Sequence, residues 1–200
     1  MARRALLILV PIALAAGLTA LAHRARQGAL PDLGSLPPFS LTDQQGQPLT
    51  RDGLAGRPFV ADFIFTRCPT LCPAMTSRMA QLQRRLPQGI ALVSYSVDPE
   101  HDTVPVLAEY ARAYAAEPRW RFVTGPRTAL HALATDGFHL AAMEIPARER
   151  RPGDDGPFLH STKFVLVDGR GTIRGYYDSD DGADLTRLVA DAERLSRGAE

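Results

Sequence analysis

Apolar positions fall along this chain in two rhythms. From Phe59 to Phe65, and again from Ile90 to Val97, the residues are almost continuously apolar. That is the pattern of strands buried on both faces, with Asp62 the one charged interruption in the first. After Pro73 the spacing turns helical: Met75, Met79, Leu82 and Leu86 share one face, and the run stops near Pro87-Gln88-Gly89. Asp98-Pro99 ends the second buried run. Asp102 or Thr103 can then cap a helix bearing Leu107, Tyr110, Ala111 and Tyr114. Trp120–Thr124 reads as a short strand, Pro126 opens a helix through Leu130 and Leu133 that ends near Gly137, and Phe138–Glu144 is a further candidate strand. Near the front, Phe39–Thr42 alternates like a strand and leads into a turn at Gln45-Gly46-Gln47. At the back, Thr162–Val167 and Ile173–Tyr177 flank Asp168-Gly169-Arg170-Gly171, a hairpin pattern. A last helix from about Asp181 sets Leu185, Leu188, Val189, Ala192 and Leu195 on one face. This alternation predicts an α/β sandwich.

Two stretches break the rhythm. Arg3 and Arg4 precede a charge-free run from Ala5 to Ala22, which as a helix would span about 27 Å. That is short of a hydrocarbon core of about 30 Å, and Ala20-Leu21-Ala22 fits a signal-peptidase site. Residues 1–26 are therefore expected to be a signal anchor or a signal peptide, and the rest of the chain to be exported. No cysteine lies nearby, which excludes a lipoprotein anchor. Residues 27–38, with Gly28, Pro31, Gly34, Pro37 and Pro38, read as a linker, leaving residues 39–200 as one domain. The second break, residues 145–159, is rich in proline, glycine, arginine and aspartate and reads as a long loop delivering the chain to His160. The net charge of +1 gives no reason to expect nucleic acid or another polyanion.

Composition sharpens the picture at one place. The only two cysteines of the chain, Cys68 and Cys72, are separated by three residues just after the first buried strand, each followed by proline. Proline is comfortable at the first helical position, so Pro73 predicts a helix start with Cys72 at its N-cap and Cys68 in the turn before it. A helix N-terminus favours thiolate over thiol. Two such thiols can form a disulfide or hold a soft metal ion. A purely structural disulfide is the plain alternative, but it would close a small loop and constrain the unfolded chain little. In an exported chain, two cysteines suit a redox or metal pair better than a disulfide scaffold.

The stretch Thr66-Arg67-Cys68-Pro69-Thr70-Leu71-Cys72-Pro73 resembles the signature of the Sco/SenC family, copper-binding thioredoxin-like proteins of cytochrome c oxidase assembly. His160-Ser161-Thr162-Lys163-Phe164-Val165-Leu166-Val167-Asp168 resembles the family's second signature, and Asp98-Pro99-Glu100-His101-Asp102-Thr103 a third, which usually has arginine where His101 stands. The resemblance implies a thioredoxin-like fold with an N-terminal β extension and an inserted loop, preceded by one N-terminal hydrophobic helix. It also implies copper as the bound metal, held by Cys68, Cys72 and His160. Two thiolates and an imidazole suit copper in both oxidation states, although zinc with a water would also fit.

Other residues carry weaker signals. His23 and His131 have no partner suggested by sequence, and nothing points to His101 or His139. Met75 and Met79 share a helical face with leucines and read as core. The third stretch reads most simply as a turn and a helix cap, and Asp62 remains an anomaly.

Two functions follow. A copper metallochaperone would, as the resemblance implies, deliver its ion to the dinuclear copper centre of cytochrome c oxidase. Its partners would be the copper-accepting oxidase subunit, other copper chaperones and, through the N-terminal helix, the membrane. Its soluble domain would face the periplasm from the inner membrane, or be released there after cleavage. Alternatively, Cys68 and Cys72 serve as the redox-active pair of a membrane-tethered thiol–disulfide oxidoreductase. A peroxiredoxin-like peroxidase would want a proline upstream of the reactive cysteine, and Phe63-Ile64-Phe65-Thr66-Arg67 supplies none.

Overall fold

Strands β3 (Phe59–Ile64) and β4 (Ala91–Ser96), buried at every position, pair in parallel from Phe59 opposite Ala91 to Ile64 opposite Ser96. The computed structural model describes residues 29–151 and 156–198, the side chains of Ala147 and His160 excepted. The leader expected over residues 1–26 lies outside the described residues. So do the first two residues of the linker expected over 27–38. Among the described residues no helix is long and apolar enough to cross a membrane.

β5 (Trp120–Thr124) continues the parallel set beside β4. On the other side, β8 (Lys163–Val167) runs antiparallel to β3, and β9 (Ile173–Asp178) forms a hairpin with it. The N-terminal extension is a second hairpin, β1 (Ser40–Asp43) and β2 (Pro48–Thr50), whose turn places Gly46 at φ +75°. The sheet order is β2-β1-β5-β4-β3-β8-β9. With a helix between β3 and β4 and a hairpin plus helix at the end, this is the thioredoxin-like arrangement.

Helices α1 (Leu71–Arg85), α2 (Val104–Ala113) and α4 (Gly182–Arg197) cover one face. Thr76 of α1 meets the hydroxyl of Tyr110 on α2 at 3.0 Å, and α1 packs against α4. Met75 and Met79 are buried in this layer, as the helical spacing predicts. On the opposite face, α3 (Arg127–Ala132) widens into a π turn at Leu133–Gly137. The turn delivers Phe138 onto Phe63 and Tyr95, with ring centres 5.3 and 5.6 Å away. Asp62 is fully buried; its register with Ser94 and Phe122 puts it on the α1 and α2 side.

Three local expectations change. Helix α1 begins at Leu71 with Thr70 as N-cap, so Cys72 is inside its first turn and Pro73 follows at the third helical position. Amides of the first turn have no intrahelical carbonyl partner, so proline is tolerated there as well as at the first position. The candidate strand 138–144 shrinks to β6 (Ala142–Glu144), and the long loop ends in β7 (Phe158–His160), which pairs with it. This two-stranded ribbon stands apart from the main sheet. Finally, the segment around Ser35 lies along the start of β9. Leu33 N–H donates to the Ile173 carbonyl at 3.0 Å, Leu36 N–H to that of Gly171 at 2.9 Å, and Leu36 is buried.

The β8–β9 turn is built on Asp168. Burial alone would raise its pKa. Hydrogen bonds from Thr172 N–H at 2.9 Å, Arg170 N–H at 2.8 Å and the Arg174 guanidinium at 2.7 and 2.9 Å outweigh burial and hold the carboxyl below its usual range. A depressed folded-state pKa stabilises above the ordinary carboxylate pKa, and the gain is lost as pH falls through the folded value. Asp168→Asn should therefore cost about 2 kcal/mol at pH 7, with the gap to the parent closing below about pH 4. Urea unfolding at both pH values checks this; a gap that stays constant would contradict it.

Candidate metal centre at the cysteine turn

The turn joins the end of β3 to α1, and the chain folds it by local hydrogen bonds. Cys68 N–H donates to the Phe65 carbonyl at 3.3 Å, which reverses the chain directly after the strand. Cys72 N–H then donates to Cys68 Sγ at 3.3 Å, and Phe65 N–H to Cys72 Sγ at 3.4 Å. Both cysteines are buried and stand as thiols. The expected N-cap thiolate does not hold for Cys72. Burial pushes its thiol far up, the neighbouring Cys68 adds to this, and so does the charge of Asp62, against the lowering effect of the Phe65 amide. A partner that replaces the proton must also compensate buried negative charge.

Two buried carboxylates hold the turn from the next loop. Asp102, with no exposure, accepts from Thr66 Oγ1 at 2.6 Å, from Thr66 N–H at 3.2 Å and from Ser96 Oγ at 2.6 Å. Asp98 accepts from Arg67 Nε at 2.6 Å, and its own N–H donates to Ser96 Oγ at 3.0 Å. The expectation of a simple helix cap is corrected here. Thr103 is the N-cap residue of α2 but makes no side-chain capping bond, and both aspartates reach the cysteine turn instead. His101 stands with Nδ1 3.1 Å from Asp102 Oδ1 and 3.3 Å from Thr66 Oγ1. Asp98, His101 and Asp102 bring ligand atoms within 4.8 Å of one another. With Arg67, Thr66 and Ser96 already on the two carboxylates, the group is a clamp on the turn, not a metal centre of its own.

His160 ends β7, opposite Ala142 of β6. Its side chain lies outside the described residues, as does His23. Phe158, two residues earlier, packs edge-on against Phe65 at 5.5 Å, so the strand that carries His160 lies against the residue that opens the cysteine turn. Gly156, at φ +110°, makes this approach close: a Cβ there would meet the Phe65 ring at 2.9 Å. Of the remaining histidines, His131 puts Nε2 3.3 Å from the Val97 carbonyl, and His139 adopts φ +52° beside Gly34. Neither reaches the turn through a hydrogen bond.

Removing the clamp should be costly. Asp102→Ala strands two hydroxyls and an amide and is expected to destabilise by about 3 kcal/mol, whereas Thr66→Val costs about 1 kcal/mol. In the reduced parent, iodoacetamide should modify Cys72 at least about 100-fold more slowly than in the urea-unfolded chain, because the thiol is buried and protonated. Asp102→Ala should narrow that gap. Equal alkylation rates in folded parent and variant would refute the clamp.

Comparison with known proteins agrees with the geometry. A family model described as SCO1/SenC matches residues 31–196. A putative copper-binding protein of Stutzerimonas stutzeri is 33% identical over 182 residues, covering 87% of this chain and 86% of that protein. The crystal structure of a SCO1/SenC family lipoprotein from Bacillus anthracis superposes with a TM-score of 0.73 at 29% identity, covering 84% of this chain and 99% of that one. BsSco, described as a member of the Sco family of cytochrome c oxidase assembly proteins with a disulfide switch, superposes with a TM-score of 0.71 at 28% identity, covering 84% of this chain and 98% of its own. With nearly the whole described domain matched, this chain belongs to the SCO1/SenC family.

Proposed function

We propose that this protein carries copper as cargo, binding it through Cys68, Cys72 and His160, and delivers it to the dinuclear copper centre of cytochrome c oxidase. The observation that carries the reading is the turn itself. Two thiols lie within one hydrogen-bonded loop at the end of a buried strand, and the strand bearing His160 packs against the loop's first residue. Family membership supports the same reading, as do a relative named for copper binding and another described in oxidase assembly. Two thiolates neutralise Cu(II) and leave one surplus charge on Cu(I); the amides at the start of α1 offset that surplus. A neutral imidazole adds a ligand without adding charge. Zinc shares this donor chemistry, so metal identity rests on the family. Residues 1–26 then serve as the membrane tether or export signal, with the domain on the periplasmic side.

The second reading, thiol–disulfide exchange, draws support from the contact between Cys68 Sγ and the Cys72 amide and from the disulfide switch described for BsSco. In that chemistry both thiols lose a proton and together give two electrons to a partner disulfide, which is reduced to two thiols while Cys68 and Cys72 become joined.

An anaerobic Cu(I) competition titration of the reduced full-length chain separates the two. One ion per chain is expected, with Cys68→Ser and His160→Ala each weakening binding by at least about tenfold. A His160→Ala variant that binds like the parent would remove the histidine from the ligand set. A parent that scarcely binds copper, yet reduces a model disulfide, would favour exchange over delivery.

A further inference from the structure

The β6–β7 ribbon is too short to hold its shape alone, since an isolated two-stranded hairpin is marginal in water, and it makes no ladder with the main sheet. Short backbone links tie it to the π turn, through Leu140 N–H on the Ala134 carbonyl at 2.8 Å, and to β8, which starts three residues after His160. Its seating against the cysteine turn rests in addition on side chains, and one residue gathers them. The Arg127 guanidinium at the start of α3 makes a two-pronged pair with Glu100, with Nε 2.8 Å from Oε1 and Nη2 on Oε2. Its Nη1 donates to Glu144 Oε2 on β6 at 2.6 Å, and its plane lies over the Phe158 ring of β7 at 5.6 Å. The far side of Glu144 takes Arg150 Nη2 at 3.2 Å. Glu100 belongs to the loop whose neighbours Asp98 and Asp102 clamp the cysteine turn. One cation thus ties both strands of the ribbon to the loop that fixes the thiols.

We infer that Arg127 is a positioning residue, a latch that holds the His160-bearing ribbon against the cysteine turn and whose release frees the third ligand without disturbing the thiol pair. This rests on the reading of His160 as a copper ligand. The latch suits release during transfer. Its groups are partly exposed, with side-chain exposures of 31% for Arg127, 47% for Glu144 and 61% for Glu100, so another protein's charges can compete for them. Asp102 at the centre of the clamp, by contrast, has no exposure. The guanidinium is required, because only a planar fork can pair with Glu100 and Glu144 while stacking on a ring.

The test uses the full-length reduced chain with Arg127→Ala, Arg127→Lys, Glu100→Gln, His160→Ala and the Arg127→Ala/His160→Ala pair. In the metal-free protein, hydrogen exchange of the ribbon amides, Ile145 among them, should accelerate about tenfold in Arg127→Ala. Smaller increases are expected in Arg127→Lys and Glu100→Gln, with no change in the β3 and β4 amides. In copper competition, Arg127→Ala should weaken binding about five- to tenfold, and the double variant should bind no worse than His160→Ala alone. Unchanged ribbon exchange, or equal acceleration throughout the main sheet, would overturn the latch. So would losses that multiply in the double variant. If instead His160→Ala binds copper like the parent while ribbon exchange still responds to Arg127, the latch stands as a structural device and the ligand assignment is what fails. Glu100→Gln keeps the test decisive if Arg127→Ala does not fold.

Discussion

A carboxylate with no exposure must find its donors inside the protein, and Asp102 finds them on two strand ends at once. Thr66 supplies an amide and a hydroxyl from the exit of β3, and Ser96 a hydroxyl from the exit of β4. Neither exit can move without leaving a buried charge short of partners, a loss of several kcal/mol. The parallel pairing of β3 with β4 puts the two exits side by side, and the apolar layers on both faces hold that pairing. The geometry of the thiols is thus inherited from the core through one side chain. The third candidate ligand is attached by other means, on a ribbon outside the sheet. Under the proposed copper-carrying function, this asymmetry would give two donors that stay and one that can leave.

The electrostatics of Cys72 show two familiar effects in competition. A helix N-terminus favours a thiolate, while removal from water favours a thiol. Here removal from water wins, helped by Cys68 and by the charge of Asp62 beneath the turn. The resting pair is therefore protonated at Cys72 and poorly nucleophilic there. Its reactivity awaits a cation or a disulfide partner that supplies the missing compensation.

Much of the fold was legible because the apolar runs are nearly continuous. Phe59–Phe65 and Ile90–Val97 have the length and composition of buried strands, and the glycines after Asp168 the chemistry of a hairpin turn. The start of α1 was misplaced by two residues because Pro73 is acceptable anywhere in a first helical turn. The ribbon was half missed, since strands of three residues are too short to show alternation and reveal themselves only by pairing. At the site, the cysteines announced themselves by number and spacing, and His160 through its signature. Asp98 and Asp102 lay in the third signature but were read as a turn and a cap, because an aspartate before a helix is a common cap. Their partners follow once β3 and β4 are seen to be parallel neighbours, since such strands end at the same level and bring Thr66-Arg67 beside Asp98–Asp102. Arg127 lay beyond such reasoning, because its three partners come from three separate loops and strands.

The segment from Leu33 to Leu36 lies along the entry to β9, bonding the amide and carbonyl of its first residue, Ile173, and β9 is the terminal strand of the seven-stranded sheet. An uncovered terminal strand is a template on which another chain can add. By occupying those carbonyls and amides, the segment acts as a guard against edge-to-edge association. Proteolysis beyond Leu36 would remove the guard while leaving the cysteine turn intact, so a shortened chain could keep its thiols and still be lost to aggregation.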